Sequence, residues 1–135
     1  MRILIVEDSQ DLVNVYKEII QEYLSDRNID VEFDVITRLK DFKKEYFTSK
    51  EYSLGIFDWL FEYGNTTKNI IKNVNGNCKY KVMITGYPED YHMQKCTSHF
   101  DEVLDKRIGM KTLSNILYLI NHYMFSLTYY KSNKK

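Results

Sequence analysis

Five polar side chains with complementary chemistry each follow a short, mainly apolar run of the sequence. Glu7 and Asp8 follow the first run, Asp58 follows a second, Thr85 follows a third and Lys106 follows a fourth. Three carboxylates at close range repel one another, so a shared site calls for a cation, and Mg²⁺ is the natural candidate because it prefers oxygen ligands. A carboxylate in such a site can attack phosphorus, while a hydroxyl and an ammonium group stabilise the phosphoryl oxygens.

Each of these residues alone has a simpler structural interpretation. Asp8 or Ser9 could cap a helix, and Asp58 could cap a turn. Thr85 could bond to the backbone, and Lys106 could be a solvated loop lysine. Taken one at a time, these interpretations are the better ones. Taken together they are not, because random placement would rarely put five complementary groups at four strand ends.

The apolar pattern predicts a doubly wound α/β domain that would bring these side chains together. Short apolar runs alternate with amphipathic stretches, which is typical of βα units around a parallel sheet. Such sheets bind ligands beyond the carboxyl ends of their strands, where the strand order reverses. The predicted strands are Ile3–Val6, Val31–Thr37, Ser53–Phe57, Lys81–Thr85 and Glu102–Leu104; the predicted helices are Ser9–Leu24, Leu39–Phe47 (with Leu39, Phe42 and Tyr46 inward), one within Asn65–Val74, one opening near Pro88, and Met110–Tyr130.

Composition and charge fit one globular domain and argue against several classes of function. The 135 residues are 44% apolar, and 19 basic side chains balance 19 acidic ones. Zero net charge does not steer a protein toward nucleic acid or an anionic membrane, so we expect neither partner. No apolar stretch is long enough for a signal peptide or a membrane span, and two unpatterned cysteines indicate no disulfide framework or zinc site. We expect a cytoplasmic protein with one domain at 1–130 and a basic polar tail at 131–135.

The motifs at the strand ends resemble those of the receiver domain of response regulators, over essentially the whole chain. Ile-Leu-Ile-Val-Glu7-Asp8 resembles the family's opening strand and acidic pair, and Leu-Gly-Ile-Phe-Asp58 resembles its phosphoacceptor strand. Val-Met-Ile-Thr85 resembles the switch strand, and Glu-Val-Leu-Asp-Lys106 resembles the strand that carries the family's lysine. The resemblance implies a flavodoxin-like fold with five parallel strands in the order 2-1-3-4-5 and a long C-terminal helix.

The resemblance also implies a function. Asp58 is expected to accept a phosphoryl group from a sensor histidine kinase or a histidine phosphotransfer protein, and Thr85 and Lys106 are expected to respond to its arrival. The chain leaves no room for an output domain, so we expect it to act by contact with a downstream protein. We do not expect an enzyme beyond phosphorylation and dephosphorylation of its own aspartate. Four oxygen donors are expected to hold Mg²⁺: the carboxylates of Glu7, Asp8 and Asp58 and the backbone carbonyl of Leu60.

Two positions depart from the family's pattern where switching is concerned. Val103 stands where the family has an aromatic switch residue, and Arg107 follows the lysine where proline is usual. A cis bond before a non-proline residue costs about 3–4 kcal/mol, so we predict a trans bond between Lys106 and Arg107. These departures keep open a second interpretation, a pseudo-receiver that serves as an interaction module and is never phosphorylated.

Further alternatives concern catalysis and assembly. Phosphatases with an aspartyl nucleophile share this kind of sheet edge but carry a second Asp two residues after the first, where this chain has Leu60. We therefore do not expect turnover of an external substrate. The predicted last helix, Met110–Tyr130, would be about 30 Å long and would outrun a strand of about 17 Å. One interpretation is that its apolar stripe, Leu113–Ile120, simply faces the sheet. The alternative is that Met124, Leu127 and neighbouring tyrosines, beyond the sheet, dock on a partner or form a homodimer.

Overall fold

Five strands form a parallel sheet with helices on both faces. The computed structural model describes residues 1–61, 65–86, 100–105 and 118. The elements are, in chain order, β1 (Arg2–Val6), α1 (Gln10–Ser25), β2 (Glu32–Ile36), a 3-10 turn (Leu39–Asp41), α2 (Lys44–Thr48), β3 (Tyr52–Phe57), β4 (Leu60–Phe61), β5 (Asn65–Thr66), α3 (Lys68–Val74), a second 3-10 turn (Asn75–Asn77), β6 (Cys78–Thr85) and β7 (Glu102–Asp105).

The strand order of the main sheet is β2-β1-β3-β6-β7, and all its neighbouring pairs are parallel. Counted within this sheet alone, the order is the predicted 2-1-3-4-5, so the doubly wound α/β fold is confirmed. The register aligns the carboxyl ends of the strands. Val6 pairs with Ile36 on one side and with Phe57 on the other, and Phe57 pairs in turn with Met83. The residues that follow β1 and β3 therefore lie side by side.

The apolar run of β1 is buried on both faces of the sheet, as expected for a central parallel strand. Leu4 and Val6 belong to one layer of the core, together with the buried residues of α2 and α3. Ile3 and Ile5 belong to the other layer, which packs against α1. Since apolar contacts cover both faces, polar chemistry on this strand is confined to its ends.

Helix α1 carries its own start signal and its own packing face. Ser9 is the N-cap, and its hydroxyl accepts a hydrogen bond from the backbone N–H of Leu12 at 3.4 Å. The predicted helix, Ser9–Leu24, agrees with the observed one to within one residue at each end. Residues at helical spacing face the sheet and are buried: Val13, Tyr16, Ile20 and Leu24.

The prediction of a single second helix over Leu39–Phe47 is wrong. A 3-10 turn and α2 are separated by extended backbone at Phe42, whose ψ is 107°. The break lets Leu39 and Phe42 pack against the core from the turn, while Phe47 is buried from α2. Tyr46, which the periodicity places inward, is instead 44% exposed. Packing of three separate apolar side chains against one layer overrides the helical spacing here.

Parts of the predicted fold lie outside the described residues. These are the helix near Pro88, the bond between Lys106 and Arg107, and most of the helix Met110–Tyr130. Of that last helix the structure describes only Tyr118, which is helical and 69% exposed. In the part of the chain that is described, no helix combines the length and apolar character needed to cross a membrane.

A polar network joins the amino ends of two central strands to β2 and α2. The carboxylate of Asp34 on β2 accepts hydrogen bonds from Arg2 at 3.1 and 3.2 Å. It also accepts hydrogen bonds from the hydroxyls of Tyr46 at 3.1 Å and Tyr52 at 2.7 Å. Burial and this last hydrogen bond both raise the pKa of Tyr52, so its hydroxyl stays a donor. One acid thus links three strands and a helix.

Gly55 lies in β3 where the core leaves no room for a side chain. A Cβ atom there would lie 2.6 Å from Phe57 Cε2 and 3.0 Å from Cys78 Sγ. We predict that Gly55→Ala lowers the free energy of unfolding by about 1–3 kcal/mol, as overpacking usually does, measured by urea denaturation. Gly76→Ala is the matched control, because a Cβ atom there meets nothing within 4 Å. Unchanged stability in Gly55→Ala would contradict the prediction.

The thiol of Cys78 is buried in the core, and this burial raises its pKa to about 12. Because the thiolate is the reactive form, the folded protein should present an inert thiol at neutral pH. We predict that Cys78 reacts with a thiol reagent far more slowly in the folded protein than in urea. The gap should persist at pH of about 8.5, where an ordinary thiol is half ionised, because nearly all of the folded-state Cys78 is still in the thiol form there. Mass spectrometry of a Cys96→Ser variant measures the rate, and fast labelling without denaturant would refute the prediction.

Candidate functional site

The sheet brings three acidic side chains together at the carboxyl ends of β1 and β3. Glu7 and Asp8 follow Val6, and Asp58 follows Phe57, with which Val6 is paired. Each acid offers a carboxylate oxygen, and these oxygens lie within 4.8 Å of one another. The backbone N–H of Asp58 donates to the carbonyl of Val6 at 2.9 Å, which extends the strand pairing to the site itself. The structure thus brings together the three acids that the sequence analysis selects, and we call them the acid cluster.

The acid cluster concentrates negative charge in a partly buried place. Glu7 is 2% exposed and Asp58 is 8% exposed, whereas Asp8 faces solvent. Burial raises the pKa of Tyr16 on α1, and the nearby negative charges of Glu7 and Asp58 raise it further. The field of the acid cluster therefore extends to α1. Carboxylates at this range repel one another unless a proton or a cation intervenes. The donor set therefore fits a hard divalent cation such as Mg²⁺, with Asp8 on the solvent side.

The cap of α1 leaves Asp8 in the acid cluster. The sequence allows either Asp8 or Ser9 to cap this helix, and the structure assigns the cap to Ser9. Because the serine hydroxyl serves the helix amide, the Asp8 carboxylate can lie with those of Glu7 and Asp58. The simpler interpretation of Asp8 as a helix cap is therefore wrong.

The segment after Asp58 is held by a short antiparallel ribbon that the sequence does not predict. In this ribbon β4 pairs with β5, and Leu60 lies opposite Thr66. Thr67 donates its hydroxyl to the carbonyl of Asp58 at 2.6 Å and its backbone N–H to the carbonyl of Trp59 at 3.0 Å. Hydrogen-bonded and non-hydrogen-bonded pairs alternate along an antiparallel ladder. Trp59 and Thr67 are joined by a hydrogen bond, so the next pair, Leu60 and Thr66, is a non-hydrogen-bonded one. The carbonyl of Leu60 therefore points away from β5, along the outer edge of the ribbon.

Thr67 is a residue of the site that sequence reasoning misses. It is fully buried and directly precedes α3, where a threonine would ordinarily cap the helix. Among the described residues its hydroxyl makes no capping bond and is directed to Asp58 instead. The sequence signal, a threonine before a helical run, indicates a helix start and says nothing of the site.

Thr85 lies at the same edge of the sheet, at the end of β6, and has no exposed surface. It stands two residues beyond Met83, the partner of Phe57, and opposite Asp105 on β7. Lys106 is the next residue after this pair and lies outside the described residues. The place of Thr85 at the site edge agrees with the sequence analysis, and the contacts of Lys106 stay a prediction.

Comparison with known proteins identifies the fold. The sequence matches no protein-family model and no curated protein. The structure is similar to the response regulator TrrA from Thermotoga maritima in complex with Mg²⁺-BeF, with a TM-score of 0.60 and 21% identity over 88% of this chain and 97% of that one. It is similar to a signal receiver domain from Clostridium thermocellum, with a TM-score of 0.64 and 15% identity over 89% of this chain and 96% of that one. It is also similar to a two-component response regulator from Clostridium difficile, with a TM-score of 0.60 and 20% identity over 92% and 98%. The chain therefore has the fold of response regulator receiver domains.

We predict that Mg²⁺ stabilises the folded protein through the acid cluster. A ligand that binds only the folded state, at ten times its Kd, adds about 1.4 kcal/mol to the free energy of unfolding. Thermal unfolding with and without Mg²⁺ measures this effect, and Asp8→Asn should reduce it. Asp11→Asn is the matched control, because Asp11 is an exposed acid on α1 outside the cluster. A shift of the same size in Asp8→Asn and in wild type would contradict the assignment.

Proposed function

We propose that this chain is a phosphoacceptor receiver of a two-component or phosphorelay system, in which phosphorylation of Asp58 switches contacts with other proteins. The observation that carries the proposal is the acid cluster, which lies at the carboxyl ends of β1 and β3 within a receiver fold. The Thermotoga maritima neighbour, a response regulator, is in complex with Mg²⁺-BeF. That complex supports Mg²⁺ as the cation of the proposed site.

The proposed cation is Mg²⁺, held by the side chains of Glu7, Asp8 and Asp58 and by the backbone carbonyl of Leu60. The three carboxylates are close enough to share one ion. The carbonyl of Leu60 is turned away from β5, so pairing within the ribbon does not consume it. When bound, Mg²⁺ neutralises charge on the transferring phosphoryl group.

Asp58 is the nucleophile of the proposed reaction. One of its carboxylate oxygens attacks the phosphorus of a phosphohistidine on a sensor histidine kinase or a histidine phosphotransfer protein. The O–P bond forms as the P–N bond breaks, and the imidazole leaves and takes up a proton from solvent. We propose that Thr85 donates a hydrogen bond to a phosphoryl oxygen and that Lys106 pairs with its charge.

The proposed output is a change in protein contacts, not turnover of an external substrate. Leu60 stands two residues after Asp58, where an aspartyl phosphatase would need an acid. Thr85 pairs with Asp105 across β6 and β7, which links the phosphoryl-bearing edge to the outermost strand of the sheet. A two-state equilibrium along this link would expose a different surface when Asp58 is phosphorylated. We propose a downstream protein as the target, the last helix as a surface for it or for a homodimer, and a cytoplasmic location.

A pseudo-receiver that is never phosphorylated is the second candidate, and one observation favours it. Val103 on β7 is 36% exposed and carries no ring at the position where receiver domains have an aromatic switch residue. A valine side chain is stiff and short, so it cannot swing between a buried and an exposed position as a ring can. Coupling from Thr85 to a partner surface would then depend on other residues.

Incubation with acetyl phosphate and Mg²⁺ separates the candidates. We predict that the wild-type protein gains the mass of one phosphoryl group as acetate leaves, and that Asp58→Asn gains none, because an amide is not a nucleophile of this kind. Intact-protein mass spectrometry measures both. Asp11→Asn, which changes an exposed acid outside the cluster, is the control and should be phosphorylated like wild type.

Each contrary result has a distinct meaning. Absence of a mass gain in wild type that nevertheless binds Mg²⁺ would support the pseudo-receiver. Continuous release of phosphate without accumulation of phosphoprotein would show an enzyme. An equal gain in Asp58→Asn and wild type would place the phosphoacceptor at another residue.

A further inference from the structure

Thr67 connects the start of α3 to the backbone of the proposed phosphoacceptor. Its hydroxyl donates to the carbonyl of Asp58 at 2.6 Å, and its backbone N–H donates to the carbonyl of Trp59 at 3.0 Å. Its own carbonyl accepts the hydrogen bond from the N–H of Ile71 at 2.9 Å, within the first turn of α3. One buried residue therefore fixes two successive peptide groups after β3 and the start of a helix.

These two hydrogen bonds determine where the next carbonyl points. With the carbonyls of Asp58 and Trp59 both held by Thr67, the peptide planes between residues 58 and 60 have little freedom to rotate. The ladder then continues through Leu60, which faces Thr66 in a non-hydrogen-bonded pair and turns its carbonyl outward. The direction of the Leu60 carbonyl is thus a consequence of the contacts that Thr67 makes.

The use of the Thr67 hydroxyl is unusual for its place in the chain. A threonine immediately before a helix ordinarily accepts a hydrogen bond from an amide of the first turn, and this contributes to helix stability. Here the hydroxyl donates to Asp58 instead, although α3 has seven residues and lacks a side-chain cap at this position. The arrangement forgoes a helix cap and fixes the backbone of the acid cluster.

We propose that Thr67 is a positioning residue for cation binding: its hydroxyl holds the Asp58–Leu60 backbone so that the Leu60 carbonyl completes the set of oxygen donors. This inference rests on the proposed Mg²⁺ site. Removal of a residue that hydrogen-bonds to metal ligands without contacting the metal itself typically lowers metal affinity by about 10–100-fold. A purely structural role for Thr67 would instead lower the stability of the fold and leave the affinity for Mg²⁺ unchanged.

The test is a Mg²⁺ titration of four proteins, with the ion alone as the ligand. Thr67→Val removes the hydroxyl and keeps the shape of the side chain, and we expect it to weaken Mg²⁺ binding by about tenfold or more. Thr67→Ser restores a hydroxyl and should bind like wild type. Thr66→Val is the matched control, because the hydroxyl of Thr66 makes no hydrogen bond to the residues that the structure describes. Calorimetry gives the affinities, and the fluorescence of Trp59, the sole tryptophan, gives a second signal beside Asp58.

Urea denaturation of each variant without Mg²⁺ shows whether the variant is folded under the conditions of the titration. Loss of affinity in Thr67→Val alone, with recovery in Thr67→Ser, supports the inference whatever the change in stability. If Thr67→Val does not fold, Thr67→Ala removes the same hydroxyl without a bulky replacement and is judged by the same expectation.

Four outcomes would overturn the inference. Wild-type affinity in Thr67→Val would show that the hydroxyl does not position the donors, and the proposed function would stand. Equal losses in Thr67→Val and Thr66→Val, or no recovery in Thr67→Ser, would indicate a general disturbance of the ribbon. Absence of Mg²⁺ binding in wild type would remove the proposed cation site itself, and this result is distinguishable because it needs no variant.

Discussion

The site depends on one constraint: β1 and β3 end at the same level of the sheet. Val6 and Phe57 are paired in a parallel register, so the residues after them are forced side by side although they are distant in the chain. Apolar side chains buried on both faces of the sheet hold that register. Repulsion among Glu7, Asp8 and Asp58 therefore cannot be relieved by sliding the strands apart. A rigid core of this kind maintains a concentration of negative charge that favours cation binding.

The parts of the fold that the sequence predicts are those with a complete signal inside one segment. Ile3–Val6 is apolar at every position, as a strand buried on both faces requires. Helix α1 carries both its cap at Ser9 and its apolar stripe. The prediction that the three acids lie together requires one further rule: all strands of a doubly wound sheet present their carboxyl ends to one edge. For the same reason Thr85 is found at that edge, whereas the position of Lys106 lies outside the described residues.

The parts that the sequence does not predict arise from contacts between short segments. Strands β4 and β5 have two residues each, too few for any periodic pattern. The break at Phe42 reflects packing against the core, because the local spacing fits a helix equally well. Thr67 has the right identity for a helix cap, and its bond to Asp58 forms only because the ribbon brings that carbonyl within reach. In each case a neighbour distant from the local pattern decides the structure.

Two donors of the hydrogen-bond network around Asp34, Arg2 and Tyr52, lie at the opposite end of the sheet from the acid cluster. Arg2 and Tyr52 are the first residues of β1 and β3, whereas Glu7 and Asp58 come after the last. A five-residue strand spans about 17 Å, so the two groups share strands without sharing partners. The hydrogen bonds that tie strands and helix together can stay as they are while the residues of the acid-cluster end change. Substitutions after the last residues of β1 and β3 can therefore alter the chemistry of the site without removing a hydrogen bond of the Asp34 network.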